Sequence, residues 1–121
     1  MVGIVKVDTL QNNAGTSSVD MDYVVNGSAK AFSAATYSSG TPVEEKSFNI
    51  SSLSDDATGK MTHNFTNSFS DSSLVGATAN TYGSLAFIRY LNRSTTGVQT
   101  TSYYSADQDA ERSMATFGDL A

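Results

Sequence analysis

Lys60-Met61-Thr62-His63-Asn64-Phe65-Thr66 carries the cleanest alternation in the chain. Met61, His63 and Phe65 alternate with Lys60, Thr62, Asn64 and Thr66, and a period of two belongs to a strand with one covered face. Just before it, Asp55-Asp56-Ala57-Thr58-Gly59 has the composition of a turn, with Gly59 suited to the left-handed position of a short hairpin loop. Val43 to Leu53, carrying Phe48 and Ile50 on one face, leads into that turn. Together these segments predict a β-hairpin.

The same rhythm extends outward. Ser28 to Ala34 places Ala29, Ala31 and Ser33 on one face and Lys30 and Phe32 on the other. Met21 to Val25 reads as the apolar segment before it, joined through an Asn26-Gly27 turn signal. Thr36 to Pro42 reads as a loop around Ser39-Gly40. Towards the C-terminus, Ser73 to Ala79, Ser84 to Leu91, Val98 to Tyr104 and Arg112 to Gly118 read as further strands. Ser84 to Leu91 is apolar on both faces, which predicts a central or interface strand. Seven or eight short strands separated by polar turns predict an all-β fold, a small antiparallel β-sandwich.

Composition agrees. Ser and Thr make up 33 of 121 residues, and both compete with helix for backbone hydrogen bonds. Val, Leu, Ile and Phe together number 24, a thin supply for a self-sufficient core. The absence of cysteine excludes disulfides and thiolate metal sites. A net charge of −5 argues against nucleic acid and anionic membranes as partners. No apolar run approaches the roughly 20 residues of a membrane-spanning helix.

Residues 1–18 read as a separate attachment segment and 19–121 as the domain. Ile4, Val5, Val7 and Leu10 form an apolar strand, followed by Gln11 to Ser18 with no apolar side chain larger than alanine. So apolar a strand is unsuited to standing unpaired in water, which predicts a partner chain or neighbouring subunit.

Catalytic chemistry finds little support. His63 is the single histidine and sits mid-strand, so a packed strand residue is expected there. Asp107, Asp109 and Glu111 offer carboxylates at alternating positions, but the segment lacks the frame of a calcium loop and reads as a solvated acidic loop. No Gly-rich phosphate loop or Gly-x-Ser-x-Gly elbow occurs. No catalytic residue, metal or cofactor is expected. Tyr37, Tyr82, Tyr103 and Tyr104 fall in or beside predicted loops and form the candidate contact surface for a host glycan or protein. Phe87, Ile88 and Tyr90 are the candidate subunit interface.

Four segments resemble a family of small β-domains in tail-fibre-like proteins of marine tailed bacteriophages. They are Ile4-Val5-Lys6-Val7-Asp8-Thr9-Leu10-Gln11-Asn12, Val25-Asn26-Gly27-Ser28-Ala29-Lys30-Ala31, Ser47-Phe48-Asn49-Ile50-Ser51-Ser52 and the hairpin strand ending Asn64-Phe65-Thr66. The resemblance implies a knob-like structural virion protein without catalytic residues. The expectation is therefore a homotrimeric appendage on the phage particle, attached to other virion proteins through residues 1–18. A head decoration protein clamping capsid subunits and a non-catalytic carbohydrate-binding module are the alternatives.

Overall fold

A computed structural model describes residues 3–80, 87–104, 106–107 and 109–121. The strands are β1 (Thr9–Gln11), β2 (Ser18–Asp20), β3 (Ala31–Ser38), β4 (Thr41–Phe48), β5 (Ile50–Ala57), β6 (Lys60–Phe65), β7 (Val75–Asn80), β8 (Phe87–Arg93), β9 (Gly97–Tyr104), β10 (Ala106–Asp107) and β11 (Arg112–Phe117). One short helix, α1 (Met21–Gly27), lies between β2 and β3. All pairings are antiparallel. One sheet runs β4-β3-β11-β7. The second runs β5-β6-β9-β8, with β10 also paired to β9.

The two sheets pack face to face, as the alternation around His63 predicts. Met61, His63 and Phe65 of β6 and Val98 and Thr100 of β9 point inward against Ala31, Ser33 and Ala35 of β3 and Arg112, Met114 and Thr116 of β11. Phe65 and Phe69, with centroids 4.7 Å apart, join Leu74 in the apolar cluster. The core is small and unusually polar, because so few large apolar residues were available to fill it.

Three local features depart from the sequence reading. Met21–Gly27 is helical where a strand was expected. Met21, Val24 and Val25 have helical spacing as well as β-propensity, and among the described residues the segment pairs with no strand. The expected loop at 36–42 is a tight hairpin turn, since Ser39 and Gly40 both take positive φ (52° and 78°) and β3 and β4 continue to its edges. The segment 43–53 is two strands in two sheets. Asn49 breaks it with φ 57°, and its side chain holds the crossing by accepting the Asn67 N–H at 2.7 Å and donating to the Asn67 carbonyl at 3.1 Å.

β8 lies at the edge of its sheet, paired only to β9 among the described residues, and not at the centre. Its Tyr90 ring crosses to the opposite sheet over Gly76. A Cβ at position 76 would stand 2.1 Å from Tyr90 Cζ. The phenol donates to the Ala115 carbonyl at 2.8 Å and lies 3.0 Å from the Thr116 hydroxyl. Gly76→Val is therefore expected to cost about 2 kcal/mol through displacement of this ring. A urea midpoint unchanged from wild type would refute that account.

Candidate functional site

Two features stand out from the sandwich: an N-terminal arm and a groove walled by Tyr37 and the acidic loop. The arm is residues 3–28. Its β1–β2 hairpin pairs Leu10 with Val19, and the side chain of Asn12 closes the loop by accepting the N–H groups of Thr16 (2.9 Å) and Ser17 (3.2 Å). The N–H of Met21 donates to the Asp8 carbonyl at 2.8 Å, tying α1 to the hairpin. Every residue from 3 to 20 is exposed, including Ile4 (78 %), Val5 (85 %), Val7 and Leu10. The strand of this segment is Thr9–Gln11, shorter than the expected Ile4–Leu10, and its partner strand extends to Asp20. A lone two-stranded hairpin is at best marginally stable in water. Many apolar side chains are thus exposed on a small element.

The groove is lined by Thr36, Tyr37, Asp109, Ala110 and Glu111. Behind it lies Arg112, with its guanidinium 5.5 Å from the centre of the Tyr37 ring. Arg112 is fully buried and donates from Nε to the Ala110 carbonyl (3.1 Å). From Nη1 it donates to the carbonyls of Gly59 (3.1 Å) and Thr100 (3.2 Å) and to the Thr100 hydroxyl (3.3 Å). Asp109 accepts the Gly59 N–H at 2.8 Å, so the tight β5–β6 turn is held from both sides. Tyr37 donates to the Lys60 carbonyl at 3.4 Å. Burial pushes its phenol up to about 12; Arg112 pulls it down, and Asp109, Asp55 and Asp56 push it further up. Burial lowers the pKa of Arg112, partly offset by Tyr37 and Asp109. His63 sits deeper, with Nε2 3.1 Å from the Thr100 hydroxyl. Burial pushes it down to about 4, with Arg112 adding to the shift.

The groove is thus a structural knot. Its polar groups face backbone carbonyls and N–H groups of the fold itself. Glu111 accepts from Thr36 at 3.4 Å, and among the described residues no three His, Asp or Glu side chains gather to hold a metal ion. Comparison with known proteins finds no matching family model, curated protein or solved structure.

Of the tyrosines expected to form a contact surface, Tyr37 is half-buried in the knot, and Tyr103 is exposed on β9. Tyr82 and the side chains of Tyr104, Phe87 and Asp107 lie outside the described residues. Of the expected interface group, Ile88 is half-buried beside β7, its carbonyl accepting from Thr78 at 2.7 Å. Tyr90 is turned into the sandwich, where it packs on the core instead of facing outward. Sequence reasoning missed Arg112, because an arginine at a strand start reads as a surface residue. The one signal available was its place in the inward phase of the 112–117 alternation.

Proposed function

We propose that this chain is a structural, non-catalytic bacteriophage virion protein: a homo-oligomeric, trimeric appendage held in its assembly by the N-terminal arm, with the sandwich projecting as a knob. The observation that carries this reading is the arm, whose residues 3–20, with Ile4, Val5, Val7 and Leu10, are all exposed, joined to a hydrogen-bonded sandwich. Such an element gains its stability in an assembly, where a partner removes its apolar area from water. The resemblance of residues 4–66 to phage β-domains supplies the biological setting.

Immunogold electron microscopy tests it. Antibody against the sandwich is expected to label particles from the host that carries this gene. Label on the tail marks a fibre or tip, and label over the head marks a decoration protein. Particles that carry neither the label nor the chain in their protein content would overturn the virion reading.

A further inference from the structure

The two outer faces of the sandwich differ in kind. On the β5-β6-β9-β8 sheet many outward side chains join polar networks, with Leu91 and Tyr103 the exposed large hydrophobic side chains among its described residues. Asn64 donates to Ser52 (3.1 Å) and Ser54 (2.9 Å), Thr62 and Gln99 both donate to Asp56 (2.6 and 2.7 Å), and Asn92 donates to Gln99 (2.9 Å). These groups satisfy one another, so the polar part of that face needs no cover. The β4-β3-β11-β7 sheet presents the opposite. Cross-strand register sets Phe48, Phe32, Ala115 and Ala77 in one row across all four strands, with Phe117 opposite Val75 beside it. Phe32 and Phe48 stack at 5.9 Å, while Phe48 is 55 % and Val75 68 % exposed. Ala115 and Ala77 sit low at the β11–β7 end of the row, bounded by Phe32 on one side and by Phe117 and Val75 on another, which makes a shallow apolar trough.

We propose that this trough seats the N-terminal arm of a second copy of the chain. The inference rests on the reading of the arm as an assembly element and names its receptor. The exposed area is large enough for contacts between copies. A compact monomer of this mass exposes about 6,300 Å². This chain exposes 7593 Å², about 1,300 Å² more than that. A stable interface takes about 800 Å² from each partner, so the excess is sufficient for one. The chain's own arm leaves the trough open. Its exit is set by Lys30, whose N–H donates to the Thr116 carbonyl at 2.8 Å while its ammonium holds the carbonyls of Val25 and Ser28 at the end of α1. Each copy therefore carries both an unpartnered apolar element and an unpartnered apolar receptor. Arm-to-sheet contacts between copies cover both, and repeating them around a ring closes the assembly.

The test uses the purified full chain with Phe48 replaced by p-benzoylphenylalanine, prepared as an equal mixture of ¹⁴N and ¹⁵N material and irradiated. Adducts of twice the chain mass are expected, joining the tryptic peptide 47–60 to the peptide 7–30, with both isotopes in one adduct. Adducts confined to one chain, adducts joining sheet to sheet, or no adduct above the monomer mass would each overturn the proposal. Ala77→Lys checks it independently. Sedimentation of this variant is expected to fall to the monomer mass with its far-ultraviolet spectrum unchanged, and an oligomer that persists counts against the trough. Because no virion component is present, loss of these contacts overturns the arm-in-trough inference alone, whereas unlabelled particles overturn only the virion reading.

Discussion

Arg112→Ala is expected to destabilise the protein by about 4 kcal/mol, the largest loss from any single truncation of the core. The substitution removes the largest fully buried side chain among the described residues and takes the guanidinium from the carbonyls of Gly59, Thr100 and Ala110, of which Gly59 keeps the Ser102 N–H at 2.8 Å. Each buried acceptor orphaned in this way costs on the order of 1–3 kcal/mol, and the cavity adds to that. Releasing a guanidinium from its desolvated site returns part of the loss. That return is limited, because guanidinium is weakly hydrated to begin with and is offered a ring face and four acceptors here. Against a total stability of about 5–15 kcal/mol for a domain, the variant should be largely unfolded or close to it. Arg112→Met separates the two contributions. It refills most of the volume without restoring the donors, so its loss should be roughly half that of the alanine variant. Urea midpoints at neutral pH give both values. An alanine variant within about 1 kcal/mol of wild type would mean that the carbonyls find other donors and that Arg112 is not the clasp of the β5–β6 turn.

The second large effect is acid sensitivity through His63. Its folded pKa lies at about 4, below the ordinary 6.5, because burial disfavours the imidazolium and Arg112 repels it. Nδ1 has no hydrogen-bond partner among the described residues, so nothing there favours the charged ring. Between these two values the unfolded chain holds a proton that the folded chain does not. Stability contributed by neutral His63 is therefore complete above about pH 6.5 and is lost as pH falls towards about 4, by about 3 kcal/mol in all. His63→Leu removes the titrating group and is expected to flatten the pH dependence over that window by about one proton, or roughly 1.4 kcal/mol per pH unit. Urea unfolding of both proteins at several values between pH 7 and pH 4.5 checks this. Parallel pH profiles would show that His63 does not govern the acid limb.

The alternation of Met61, His63 and Phe65 behind the Gly59 turn, and of Ala31, Phe32 and Ser33 in the next strand, determined the all-β class and the inward face of both sheets. Period two is a local property, set by the pleat, and needs no knowledge of what lies opposite. The apolar character of Ile4, Val5, Val7 and Leu10 was equally plain, but the polar stretch after them does not isolate them: it is the loop of a hairpin that pairs Leu10 with Val19. Other features depended on neighbours distant in sequence. Met21, Val24 and Val25 suit helix and strand alike, and the segment is helical. Asn49 carries the chain from one sheet to the other through a single left-handed residue, pinned by Asn67. Arg112, Tyr37 and Tyr90 read as polar surface groups until the packed sheets surround them with carbonyls and a facing glycine. The apolar trough was hidden for a related reason. Its row is assembled by the register of four strands that are not consecutive in the chain, and only the tertiary structure brings Phe48, Phe32, Ala115 and Ala77 side by side.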